Sequence, residues 1–329
     1  MEKLSNSRTP SRRQFLTATG GVLAAAAASR ISSAEAAEFP STSIQTNAGQ
    51  NSSSSSTAPW RKIPIGVFDP AFPDLSLDQM LDKVAGYGLE AMEIGTGGYP
   101  DNHHCPLNDL LADPAKLKVW KKKFDDRKIV IGALSCHGNP VHPDAKIAGR
   151  DAQTFRNTVL LAEKLGVQVI VGFSGCPGGS PTDTTPNWVT YRWPPEYGQA
   201  LDWQWKEKVV PYWKDAAKFA REHNVHKLAF EMHPNFVVYN PRTLLRLREA
   251  VGEEIGANCD LSHLFWQGCN PVEVIHMLGK QGALYHAHMK DTVMFQNNVD
   301  RYGVLNFAST TEELPEASET FRAVGYGHG

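Results

Sequence analysis

The residues His226-Lys227-Leu228-Ala229-Phe230-Glu231-Met232-His233 decide how this chain folds. A strict alternation runs through them, and in an extended strand a period of two sends Leu228, Phe230 and Met232 to one face and Ala229, Glu231 and His233 to the other. One face is apolar; the other ends in a carboxylate and an imidazole. An amphipathic segment flanks the strand on each side, at 206–223 and 241–251, and the same alternation of short apolar run and helical pattern recurs from residue 63 onward. Strands are expected at 63–68, 89–95, 129–136, 167–174, 226–233, 256–262 and 284–290. Helices are expected between them at about 76–87, 114–127, 150–165, 206–223, 241–251 and 271–280. Such repetition predicts βα units and a parallel sheet, an α/β fold.

The first strand is followed by Gly66-Val67-Phe68-Asp69-Pro70, which is neither of the glycine-rich loops that cradle phosphates, so a dinucleotide-binding sheet loses its main support. Seven consecutive units fit a (β/α) barrel better than an open sheet. The chemistry of a barrel sits at the carboxyl ends of its strands, and polar residues gather there in this chain. Beside Glu231 and His233, the segment 256–262 places Asn258, Asp260 and Ser262 on one face with His263 just beyond, and 284–290 places His286, His288 and Lys290 on one face. Two buried carboxylates converging on an imidazole are costly unless paired or bound to a cation, and the mixed oxygen and nitrogen donors suit Mn²⁺, Mg²⁺, Co²⁺ or Zn²⁺. One divalent metal ion is therefore the expected cofactor.

These residues resemble a known family, the sugar phosphate isomerases and epimerases with the xylose isomerase-like TIM barrel. The resemblance rests on Phe230-Glu231-Met232-His233-Pro234, Asp260-Leu261-Ser262-His263 and His286-Ala287-His288-Met289-Lys290-Asp291. It is supported by His137-Gly138-Asn139-Pro140 and Ser174-Gly175-Cys176-Pro177-Gly178, and it covers residues 60–329. It implies a (β/α)8 TIM barrel in which a Glu, an Asp, a His and a second Glu from successive strands hold the metal. Matched to this chain, the metal ligands are Glu231, Asp260 and His288, His288 being taken over His286 because it lies nearer the strand's carboxyl end. Glu231 is the expected catalytic carboxylate, and His137, His233, His263 and Lys290 are the expected substrate-binding residues. Glu93 is weighed between a substrate contact and a buried structural partner, and His103 and His104 between substrate contact and plain surface histidines. Trp188, Trp193, Trp203 and Trp205 are weighed between a sugar-stacking wall and core packing.

The implied activity is a metal-dependent isomerase or epimerase that moves a proton next to the carbonyl of a sugar or keto-sugar. The alternatives are a lyase or dehydratase acting on a keto-inositol or keto-glycoside, and a non-catalytic sugar-binding protein. The barrel is expected to be incomplete, with seven strands present and the eighth missing. After Lys290 only a polar stretch, 291–319, and a short ending remain, and Glu312, Glu313, Glu316 and Glu319 are expected in a loop with no strand to fix them near the metal.

Across all 329 residues, 33 Lys and Arg stand against 35 Asp and Glu, a formal charge of −2, which offers no footprint for a nucleic-acid backbone or an anionic membrane. The expected partner is a small-molecule sugar, and homo-oligomerisation is left open. Five scattered cysteines with no CxxC pair exclude a disulfide framework. At the start, Ser11-Arg12-Arg13-Gln14-Phe15-Leu16 precedes a weakly apolar run, Thr17 to Ser29, and small residues follow at Ala34-Glu35-Ala36. This resembles a bacterial twin-arginine export signal, too short in its apolar run to serve as a membrane anchor. The expected organisation is a signal peptide at 1–37, a Ser-rich linker at 38–59 and the barrel at 60–329, with a periplasmic or extracellular location.

Overall fold

A computed structural model describes residues 63–99, 101–308 and 310–328. The expected signal peptide and linker lie outside these residues. Seven parallel strands form one sheet in chain order: β1 (Gly66–Phe68), β2 (Ala91–Gly95), β3 (Val130–Ser135), β4 (Val169–Gly172), β5 (Lys227–Glu231), β6 (Ile255–Asn258) and β7 (Leu284–His286). Each crossover carries helix: α1 (Leu77–Gly86), α2 (Leu107–Ala112) and α3 (Pro114–Asp126), α4 (Ala145–Leu165), α5 (Pro195–Trp203) and α6 (Val210–Glu222), α7 (Pro241–Val251), then α8 (Ser262–Phe265) and α9 (Pro271–Lys280). This is the α/β, TIM-barrel-like architecture that the repeated units predict.

Local chemistry sets the helix starts. Ser76 and Gln79 close a reciprocal capping box ahead of α1, Asp113 accepts the Ala115 and Lys116 amides ahead of Pro114, and Asn240 does the same for Thr243 ahead of Pro241. At the other end of α4, Gly166 takes φ 70°, a left-handed stop. The two faces of β5 separate as its alternation requires. Leu228, Phe230 and Met232 join the large core beneath the helices with Phe124, Leu161, Leu244 and Leu247, all buried, while Ala229 packs with Ala133 and Val171 in a small second cluster inside the sheet's curl. Each fully buried Leu or Phe side chain contributes roughly 1.5–3 kcal/mol.

Register then fixes the site. Glu231 at the end of β5 lies beside Asn258 at the end of β6, and Asn258 beside His286 at the end of β7. The curl also brings the first strands to the same mouth: Phe68 stacks on the His288 ring at 5.6 Å, and Glu93 of β2 reaches His286 at 2.9 Å.

Several boundaries differ from expectation. The strands expected at 256–262 and 284–290 stop at Asn258 and His286, so Asp260, His288 and Lys290 stand on the turns just past the ladder. The long loop after β4 already turns helical at Pro195, and six π-helical residues, Gln204–Val209, join α5 to α6. The polar stretch after Lys290 is not a bare loop. Strand β8 (Asp291–Met294) pairs antiparallel with β9 (Glu319–Arg322), with α10 (Gln296–Tyr302) between them. No apolar alternation marks either segment, and the paired residues lie 25 to 31 positions apart, from Met294 with Glu319 to Asp291 with Arg322. No helix among the described residues is long and apolar enough to cross a membrane. All five cysteines are unpaired.

Candidate metal centre

Glu231 stands at the centre of the mouth, 5% exposed. Its Oε1 lies 2.9 Å from His263 Nε2, and its Oε2 lies 3.2 Å from His288 Nδ1 and 3.4 Å from His137 Nε2. Asn258 Nδ2 donates to the same Oε2 at 3.3 Å. Burial works to raise this carboxyl, but the hydrogen bonds from His137, His263 and His288 hold it well below the usual carboxylate range. The strand end supplies the reason for the geometry, since the inward parity of β5 leaves Glu231 no other direction.

Asp260 is fully buried. Its Oδ1 accepts the Ser262 amide at 3.0 Å and the Ser262 hydroxyl at 2.6 Å, an Asx-type turn that starts α8 and fixes the carboxylate. The other oxygen, Oδ2, faces Lys290 Nζ at 2.7 Å and His263 Nε2 at 3.7 Å. Burial disfavours the charged Lys290, yet Asp260 and Glu231 together raise its pKa above the ordinary lysine value.

A second group adjoins the first. Glu93 on β2, 4% exposed, turns one oxygen to both His286 Nε2 at 2.9 Å and His288 Nε2 at 2.7 Å. Burial opposes the charges here too, but the pairing prevails: His288 is pushed up to about 10, chiefly by Glu93, and Glu93 is lowered to about 2, chiefly by His288. His288 thus bridges the groups, with Nε2 on Glu93 and Nδ1 toward Glu231.

Among the described residues, two sets offer ligand atoms within 4.8 Å of one another: Glu231 with Asp260 and His263, and Glu93 with His286 and His288. Of the expected ligands, the structure brings Glu231 and Asp260 together. It adds His263, expected as a substrate residue, at ligand distance, and it holds His288 against Glu231 and Glu93. The sequence carries a signal for His263. Asp260 and His263 are three residues apart across a helix start, a spacing that puts both side chains on one side. Glu93 emerges as the buried partner of two histidines.

The remaining candidates separate clearly. His137 faces Glu231 and packs its ring against Phe173 at 4.6 Å. His233 lies with its ring 4.2 Å from that of His263, and burial together with that neighbour lowers it to about 4. His104 is not a surface histidine, because its ring is buried with Nδ1 2.9 Å from Asp69 and Nε2 2.9 Å from the Leu75 carbonyl. Trp205 is buried in the core, Trp193 is exposed, and Trp188 stands edge-on to Tyr239 on the wall of a cavity of about 200 Å³ that His233 and His263 also line. Glu319, expected in a loop, is fixed by β9 and lines that same cavity, buried.

Comparison with known proteins agrees with this architecture. A family model described as xylose isomerase-like TIM barrel matches residues 81–321. An uncharacterised protein of Bacillus subtilis (strain 168), YfiH, is 36% identical over 259 residues, 78% of this chain and 80% of that protein. Among solved structures, a D-tagatose 3-epimerase-like protein aligns with TM-score 0.52 at 19% identity, over 70% of this chain and 77% of its own. A xylose isomerase-like TIM barrel protein from Mycobacterium smegmatis, solved in complex with magnesium, aligns with TM-score 0.51 at 14% identity, over 81% of this chain and 82% of its own.

Proposed function

Because the chain belongs to the xylose isomerase-like TIM barrel family, we propose that it is a divalent-metal-dependent isomerase or epimerase, acting on a sugar or keto-sugar by proton transfer next to the carbonyl. The observation that carries this reading is the convergence of Glu231, Asp260 and His263, whose donor atoms lie within 4.8 Å of one another at the strand ends. Two carboxylates and an imidazole match a hard to borderline divalent ion, which would share the buried negative charge of the pair with the Lys290 ammonium, 2.7 Å from Asp260 and 3.9 Å from Glu231. His288 completes the set: a histidine whose far nitrogen is held by a carboxylate, as Glu93 holds Nε2, is oriented as metal-ligating histidines are. Neighbours of this fold include a D-tagatose 3-epimerase-like protein and one bound to magnesium, which supports the substrate class and the cofactor.

When bound, the ion would polarise the substrate's carbonyl and hydroxyl oxygens and so acidify the adjacent C–H bond. The chain's own residues supply the rest. Glu231, buried at the centre of the mouth on the inward end of β5, is placed to accept the carbon-bound proton. Lys290, 2.7 Å from Asp260, carries an ammonium that can hold a substrate oxygen at the rim. Metal analysis of the purified protein, followed by a screen of keto-sugars for C–H exchange in D₂O, tests the proposal. Stoichiometric metal with exchange that Glu231→Gln abolishes is the expected result. A metal-reconstituted protein that exchanges no proton across the screen refutes it.

A further inference from the structure

The hairpin β8–β9 takes no part in the chemistry proposed above, yet it is docked against it. Thr292 on β8 donates its hydroxyl to the Ser262 carbonyl at 2.8 Å, and the Phe321 ring on β9 meets the His263 ring edge-on at 5.2 Å. Glu319, opposite Met294 in the hairpin, is 3% exposed and lines the cavity of about 200 Å³ beside His263. Buried polar atoms are almost always hydrogen-bonded, so exceptions that share one cavity ask for a cause. Among the described residues three meet here without a hydrogen-bond partner: Glu319 Oε2, an acceptor; Trp188 Nε1, a donor; and His263 Nδ1. The walls around them are aromatic, from Trp188, Phe307 and Phe321, and among the described residues neither lysine nor arginine lines the space. Lys290, over the Phe321 ring at 5.2 Å, is engaged by Asp260.

We infer that Glu319 is a specificity-determining residue: its Oε2 accepts a hydroxyl hydrogen of a neutral, polyhydroxylated ring, while Trp188 Nε1 donates to a neighbouring ligand oxygen. Adjacent hydroxyls offer both the donor and the acceptor that the cavity leaves unmet, and the aromatic walls fit the C–H faces of a sugar ring. Lysine and arginine are absent from the described lining, His263 is engaged by Glu231 at 2.9 Å and Lys290 by Asp260 at 2.7 Å, so beside Glu319 a phosphorylated or carboxylated ligand buries a second negative charge with no free counter-charge to meet it. The inference rests on the sugar chemistry proposed for the same site and narrows it to unphosphorylated substrates.

Isothermal titration calorimetry on the full chain tests it, with a fixed panel of methyl hexopyranosides and free ketohexoses set against their 6-phosphates. The wild type should bind at least one neutral member saturably and its phosphate at least tenfold more weakly, and Glu319→Ala should weaken the neutral ligand about tenfold, the loss of one good hydrogen bond. Should that variant melt before the wild type does, Trp188→Phe decides by the same criterion. The inference is overturned if no neutral member binds, if phosphates bind as well as their parents, or if the folded variant binds within twofold of wild type. Its failure is separable from that of the proposed reaction. Wild-type proton exchange that Glu319→Ala retains with unchanged KM overturns only the inference, whereas neutral-sugar binding lost in Glu319→Ala, with no exchange by the metal-loaded wild type, overturns only the reaction.

Discussion

Glu93→Gln removes one charge from a buried carboxylate whose Oε2 takes both His286 Nε2 at 2.9 Å and His288 Nε2 at 2.7 Å. Hydrogen bonds to a charged group contribute about 1.5–3 kcal/mol each, and breaking a buried pair costs about 3–5 kcal/mol. Glutamine keeps one acceptor oxygen, so the expected loss of stability in the metal-free protein is about 2–4 kcal/mol. At roughly 2–4 °C per kcal/mol for a domain of this size, the melting temperature should fall by roughly 5–15 °C.

The pH dependence gives the sharper check. His288 is raised to about 10 in the folded protein, so its share of the stability is complete below the ordinary histidine value near 6.5 and is lost as pH rises through about 10. Glu93 is lowered to about 2, so its share is complete above the ordinary glutamate value and is lost as pH falls toward about 2. The gap between wild type and variant should therefore be widest between about pH 5 and 6.5 and should narrow steadily toward pH 10. Urea melts of both proteins in chelator, at pH 5.5, 8 and 10, measure it. A gap under about 1 kcal/mol at pH 5.5, or one that grows with pH, would refute the pairing argument. The same substitution should weaken metal affinity about 10–100-fold, since a loosened Nε2 lets the His288 ring turn.

Asp260→Asn keeps the acceptor for the Ser262 amide but removes the charge facing Lys290 and His263, and bound metal measured by elemental analysis should drop below one-tenth occupancy while the far-ultraviolet spectrum stays native. Asp291 collects the amides of Thr292, Gly325, Gly327 and His328, which, led by His328, lower its carboxyl to about 2. Its contribution is present above the ordinary aspartate value and lost as pH falls toward about 2, so Asp291→Asn should speed amide exchange at Gly325–His328 at neutral pH; unchanged exchange there would sink this account. Changing Arg12 and Arg13 together to Lys should retain the protein in the cytoplasm of an export-competent bacterium, since the receptor reads paired guanidinium groups, and unaltered export would show the signal to be misread.

What the sequence discloses and what it conceals divide along the range of the interactions involved. The faces of β5 are legible because alternation in eight consecutive residues leaves Glu231 only the inward side, and helix starts at Ser76, Asn240 and Asn270 are legible because a cap and its partner lie three residues apart. Carrying that alternation past the last ladder bond misplaces its tail. Beyond Asn258 the Asp260 side chain bonds back to Ser262, the chain turns into α8, and His263 swings to Glu231 at 2.9 Å, where a continued strand would have sent it to the opposite face. Glu93 shows the same limit from the other side. Its parity puts it inward on β2, but its partners sit nearly two hundred residues away, and only the curl of the sheet brings His286 and His288 to it. Glu319 lies furthest from legibility: four residues pair with four others across an intervening helix, and no local pattern announces either strand. Strand ends with inward carboxylates mark where such a site must be. The residues that complete it arrive from turns and hairpins whose positions follow from closure of the fold, which makes buried, unpartnered side chains such as Glu319 the places where structure adds most to the sequence.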